Sequence, residues 1–136
     1  EYGFRGTYFL PNFAHVNEDE IRALDASGQV CGHTVTHQNL ENLSYQDAYS
    51  EVYDNRVWLE NIVGHAVTCF AYPFGGYNDT VTAAVRDAGM QMAFLAWGGL
   101  TALDDSLDPL TIRRVNVNGA YPLDDFISVL NGWVGY

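Results

Sequence analysis

Gln29-Val30-Cys31-Gly32-His33-Thr34-Val35-Thr36-His37 is the stretch on which the fold turns. A short apolar run reads as a β-strand, and two histidines four residues apart follow it directly. On a helical turn, residues at i and i+4 share a face, so two imidazoles there can grip one metal ion. Zinc chemistry needs such a pair plus a third ligand and an open position for water. The bland alternative is a loop in which both histidines cap backbone groups.

Upstream, Thr7 to Leu10 reads as a first strand. Asn17 with Glu20 three residues on makes a capping box. Ile21 and Leu24 then form an apolar stripe that Gly28 ends. Downstream, Ser44 caps a longer helix through Ala48, Val52, Leu59, Ile62 and Val63, stopped by Gly64. Val67 to Tyr72 is a third strand, followed by the turn-rich Pro73-Phe74-Gly75-Gly76-Tyr77-Asn78-Asp79, in which Asp79 reads as a helix cap. A helix from about Thr80 carries Val81, Val85 and Ala88 to Gly89, and Gln91 to Trp97 is a fourth strand. Gly98 to Leu110 is an Asp-rich loop, Ile112 to Val117 a fifth strand, and Pro122 opens a last helix through Phe126, Ile127 and Leu130.

Strand and helix alternate throughout, which predicts a parallel α/β sheet or barrel in one domain spanning 1–136. In such folds, active sites gather at the carboxyl ends of the strands. The histidine pair, the Pro73 turn and Trp97-Gly98-Gly99 all fall on that rim. A complete eight-stranded barrel needs about 250 residues, so five strands predict an open sheet or a barrel lacking part of its wall. An edge exposed in this way would favour association between copies of the chain.

Composition narrows the function classes. The chain has 17 acidic residues against six arginines and no lysine, for a net charge of −11. That excludes a nucleic-acid surface, which needs basic patches. Hydrophobic residues at 48% predict a folded core, and no apolar run reaches the ~18 residues of a membrane span. The chain opens on Glu1-Tyr2 rather than Met, so a processed or truncated N-terminus is expected. Cys31 and Cys69 both fall in strands and read as buried thiols or one disulfide, the free thiols being favoured.

Gly32-His33-Thr34-Val35-Thr36-His37, with Leu40 after it, resembles the His-Ser/Thr-x-x-His metal motif of the polysaccharide deacetylases, carbohydrate esterase family 4. Phe70-Ala71-Tyr72-Pro73-Phe74-Gly75 resembles that family's next motif, Arg-x-Pro-Tyr/Phe-Gly. Arg5 to Leu10 resembles its second barrel strand, and Arg113-Arg114-Val115 an Arg-containing strand in the branch acting on poly-N-acetylglucosamine. The resemblance implies a distorted (β/α) barrel and removal of acetyl groups from an N-acetylglucosamine polymer, peptidoglycan or xylan. It implies a divalent metal, zinc foremost, on His33 and His37, with Thr34 bracing the loop. The Phe74 backbone N–H would serve as an oxyanion donor and Arg114 would orient an acid. A secreted or cell-envelope location follows from the same likeness.

The departures are equally specific. No Thr-Phe-Asp-Asp motif, the family's source of its Asp ligand and Asp base, is present, and the motif Arg is Ala71. No His follows His65, so the motif carrying the catalytic acid is unmatched. Asp104-Asp105 and Asp124-Asp125 read as a solvated loop and a helix N-terminus. His15 and His65 read as surface residues. Tyr72, Tyr77 and Trp97, with Pro73 among them, read either as the lining of a sugar groove or as ordinary core and rim packing. A non-catalytic carbohydrate-binding or metal-binding relic of the fold is therefore the second expectation.

Overall fold

The computed structural model describes residues 3–99, 107–115, 117, 119–120 and 122–132. Among these residues the strands and α-helices run as strand β1 (Thr7–Leu10), helix α1 (Glu18–Ser27), β2 (Gln29–Gly32), α2 (Tyr45–Val63), β3 (Cys69–Ala71), α3 (Asp79–Asp87), β4 (Met92–Gly98), β5 (Ile112–Arg114) and α4 (Leu123–Gly132). The five strands lie in sequence order, and every pairing is parallel. In parallel folds the crossovers are right-handed as a rule, which sets the helices joining neighbouring strands on one face, as in a barrel wall.

That wall is curled. Neighbouring strands sit about 4.8 Å apart, so three spacings would hold β1 and β4 roughly 14 Å apart in a flat sheet. Instead the Phe9 ring of β1 lies 5.5 Å from the Phe94 ring of β4. The Arg114 guanidinium of β5 lies 4.9 Å from the centre of Phe9. The expected incomplete, parallel (β/α) wall is thus the observed architecture, an open sheet bent towards closure.

Local chemistry explains most boundaries. The Asn17 side chain accepts from the Glu20 N–H while the Glu20 carboxylate accepts from the Asn17 N–H, a complete capping box. Gly64 closes α2 in the left-handed region at φ 80°, where glycine meets no Cβ penalty. Gly28 ends α1 differently, at φ −160°. Space demands glycine there, because a Cβ would land on the Gly6 carbonyl oxygen. That oxygen accepts from the Gln29 N–H at 2.9 Å, where β2 begins beside β1. Gly28→Ala is expected to destabilise the fold by about 1–3 kcal/mol by forcing this junction apart. An unchanged urea midpoint would refute that.

Several sequence expectations need correction. Asn78, not Asp79, caps α3, its side chain accepting from the Val81 N–H at 2.9 Å. Strand β3 is shorter than Val67 to Tyr72, and β5 ends at Arg114. Asp104-Asp105 and the Asp125 side chain lie outside the described residues, while Asp124 is exposed near the start of α4. Cys31 and Cys69 form a disulfide rather than free thiols. Pairing β2 against β3 sets their Cα atoms 5.0 Å apart, within the span a disulfide bridges. Strand register alone decides this, and register is not readable from spacing.

The core falls into two clusters. Phe70, Tyr72, Val52, Val81, Val85 and Leu95 anchor the larger one. Ile21, Val30, Leu59, Ile62 and Val67 form the smaller, between α1, α2 and β2. Helix α2 contributes to both, so it fixes the loop that leaves β2.

Candidate active site

The histidine loop does not follow a helical turn. Thr34 and His37 both take left-handed backbone, at φ 70° and 60°. For a β-branched residue such as Thr34 that conformation is costly and needs compensation. The Thr34 hydroxyl, fully buried, accepts from the His37 N–H at 2.9 Å, which supplies the loop brace expected of it. The four-residue spacing therefore brings the imidazoles together through a tight loop, not through helical periodicity.

Two residues of α2, one turn apart, bolt this loop down. The Glu51 carboxylate accepts from the Val35 N–H at 3.0 Å, the Thr36 N–H at 2.8 Å and the Thr36 hydroxyl at 2.7 Å. Asn55, fully buried, accepts from the His33 N–H at 2.9 Å. Its amide donates to the Leu10 carbonyl at 3.0 Å and to the Asn12 side-chain oxygen at 2.7 Å. Asn55 thereby ties the carboxyl ends of β1 and β2 together. Neither residue stands out as a motif, but Asn55 is visible in sequence as a polar residue in the apolar stripe Val52, Leu59, Ile62.

The ring chemistry follows. His33 Nδ1 lies 2.7 Å from the Ala71 carbonyl oxygen. A carbonyl only accepts, so Nδ1 carries the proton and Nε2 of the neutral ring keeps its lone pair. Burial holds the His33 pKa below 6.5, with the neighbouring His37 and Arg114 acting the same way against the Ala71 hydrogen bond. The ring is therefore neutral at pH 7. His33 Nε2 and His37 Nε2 face each other at 3.0 Å. Convergent, oriented imidazole nitrogens suit a borderline cation such as zinc, and the pair fits one on its donor chemistry. Among the described residues, no third His, Cys, Asp or Glu joins them.

The Pro73 turn stands beside the pair, as the shared rim requires. Phe74 takes left-handed backbone at φ 57°, and its ring lies 4.9 Å from that of His37. Phe13, absent from the sequence expectations, approaches His37 from the β1 side at 6.1 Å. Phe13, Phe74 and Trp97 are each more than half exposed, and the first two flank the His37 ring. The only sequence signal for Phe13 is its place just past β1.

Other expected residues fall elsewhere. Tyr72 and Pro73 are buried and do not line a groove. The Tyr72 hydroxyl donates to the Leu110 carbonyl at 2.9 Å, and burial pushes its pKa up to about 12. Tyr77 remains exposed against it, with ring centres 5.9 Å apart. Arg114 donates from Nε to the Leu95 carbonyl at 2.6 Å and lines a 230 Å³ cavity with Ala96, Val115 and Val117. Among the described residues it pairs with no carboxylate, so the expected orientation of an acid is not what its contacts show. His15 and His65 are on the surface, His65 paired with Asp25 at 2.7 Å.

Comparison with known proteins gives this geometry its context. YxkH of Bacillus subtilis is 26% identical over 124 residues, covering 87% of this chain and 44% of YxkH. The Streptococcus pyogenes deacetylase PplD, solved with acetate, superposes with a TM-score of 0.82 at 18% identity, covering 94% of this chain and 59% of PplD. That likeness concerns the fold alone. BA3943 of Bacillus anthracis, described as a CE4 family pseudoenzyme, matches with a TM-score of 0.59 at 25% identity, over 65% of this chain and 32% of its own. The chain thus spans less than two thirds of each of these proteins. The polysaccharide deacetylase family profile matches residues 1–93. Since that match contains both histidines, the Ala71 carbonyl and the Phe74 turn, the chain belongs to the polysaccharide deacetylase family.

Proposed function

We propose that this chain carries part of a metal-dependent deacetylase site that hydrolyses acetyl groups from a polysaccharide built on N-acetylglucosamine, peptidoglycan or xylan. The observation that carries the reading is the convergence of His33 Nε2 and His37 Nε2 at 3.0 Å, with the His33 proton held on the far nitrogen by Ala71. His33 and His37 would hold the ion, zinc by preference. When bound, it would lower the pKa of a water and polarise the acetyl carbonyl. The Phe74 N–H is the candidate donor to the developing oxyanion, a contribution of order 10²–10³ in rate where such donors are placed well. Phe13, Phe74 and Trp97 offer exposed rings for the apolar faces of sugars, with Tyr77 near the same turn. The buried Cys31–Cys69 disulfide supports a secreted or cell-envelope location, where such bonds form and persist.

The second reading is a carbohydrate-binding relic without turnover. It is favoured by the absence, among the described residues, of a third ligand or a carboxylate base near the pair, and by the likeness to the pseudoenzyme BA3943. Acetate release from acetylated chito- and xylo-oligosaccharides by the zinc-loaded chain separates the two. The first reading expects slow, chelator-sensitive release, since a missing general base lowers rate by about 10²–10⁴. Oligosaccharide binding that Phe13→Ala weakens, with no acetate released at any metal loading, would replace it with the second.

A further inference from the structure

We propose that the Cys31–Cys69 disulfide is a positioning device for His33, holding the tautomer that leaves Nε2 free, rather than a general staple of the fold. The inference rests on the reading of His33 as a metal ligand, and on three successive contacts across one seam. Strands β2 and β3 are joined by a single register pair, Gly32 with Phe70. By contrast, β1 and β2 share four pairs, and β3 and β4 share three. The β2–β3 seam is therefore the sparsest in register among the four strands β1 to β4.

One residue before the lone pair on each strand stand Cys31 and Cys69, joined covalently. One residue after it stand His33 and Ala71, joined by the 2.7 Å Nδ1–carbonyl contact. Side chains two apart on an extended strand point to the same face. The disulfide thus fixes the spacing of the two strands directly below the contact that sets the His33 proton. Sliding or parting of this seam would stretch the Nδ1 hydrogen bond past its working range and admit the other tautomer, with the proton on Nε2. Both sulfurs are in the core, at 0% and 1% exposure for their residues, so the brace stays out of reach of reductants while the seam is closed. Asn55 secures the main chain of His33, and the disulfide secures the strand that orients its ring.

The test uses Cys31→Ala/Cys69→Val, which retains apolar volume, alongside wild-type chain reduced with a thiol-free phosphine in denaturant and refolded under that reductant, so that no dithiol competes for zinc. Nitrogen NMR of the metal-free chain reads the His33 tautomer, and competition with a chromophoric chelator reads zinc affinity. Wild type should show His33 protonated on Nδ1. Both forms lacking the bond should show a tautomer mixture and bind zinc about tenfold more weakly, the low end of the effect of losing a ligand-orienting partner. Gly28→Ala, which strains the β1–β2 junction instead of the β2–β3 seam, serves as the control and should leave tautomer and affinity unchanged. An unaltered tautomer in a folded chain without the bond would overturn the proposal. So would an equal loss of affinity in Gly28→Ala, or failure of both disulfide-free forms to fold, since the bond would then support the whole fold. A wild type that binds no zinc would end the metal reading, while the tautomer measurement would still decide the brace.

Discussion

Asn55→Ala is expected to lower the stability of the chain by about 3 kcal/mol, a large effect for one polar side chain. The side chain is fully buried and makes three hydrogen bonds, to the His33 N–H, the Leu10 carbonyl and the Asn12 side chain. Truncation leaves two main-chain groups unpaired at adjoining strand ends. A buried group stripped of its partner forfeits about 1–3 kcal/mol, and the vacated volume adds to that. Tyr53→Ala, at a half-exposed position on the same helix, should change stability far less. Urea unfolding with an unchanged slope measures both. A loss below about 1 kcal/mol for Asn55→Ala would mean that water replaces the side chain, and that the ends of β1 and β2 are held by something else.

This residue also marks the limit of sequence reading. The fold is legible because local rules and global pattern agree. Asn17 and Glu20 cap α1, Gly64 needs its left-handed backbone, and strand alternates with helix from β1 to β4 at a pace that parallel crossovers satisfy. The rim is legible for the same reason, since His33 and Phe74 each follow a strand and Trp97 stands at the carboxyl end of β4. What escapes is whatever depends on register and curvature. The disulfide requires Cys31 and Cys69 to stand opposite each other, and strand composition does not encode that. Tyr72 looks like a rim aromatic by position, yet it turns inward to reach Leu110. Phe13 approaches His37 only because the loop after β1 folds over the end of β2, where the Asn12 N–H donates to the Thr34 carbonyl at 3.3 Å. Even the histidine spacing, read from helical geometry, works through a left-handed loop instead.

The largest functional effect is expected at that loop. His33→Ala and His37→Ala should each abolish measurable zinc binding, whereas His15→Ala and His65→Ala should leave it intact. With two imidazoles and no third ligand among the described residues, removing either leaves a single donor, well short of the three protein ligands of ordinary catalytic zinc sites. His65 is engaged with Asp25 in an exposed pair far along the chain, and such pairs contribute about 0–1 kcal/mol. Acidity should act in a definite direction. Burial holds the folded pKa of His33 below its unfolded value near 6.5, so its contribution to stability is present above 6.5 and lost as pH falls through the lower folded value. His33→Ala should therefore flatten part of the acid side of the metal-free stability profile. His65 runs the other way. The Asp25 carboxylate raises its pKa, so its small contribution is present below 6.5 and lost as pH rises through the raised value. Zinc content after dialysis, measured on all four variants beside urea midpoints across pH 5 to 8, reads both effects. Equal zinc in the four variants would remove His33 and His37 from the metal site. A His33→Ala profile with the wild-type acid slope would show that the buried imidazole is not what makes the fold acid-sensitive.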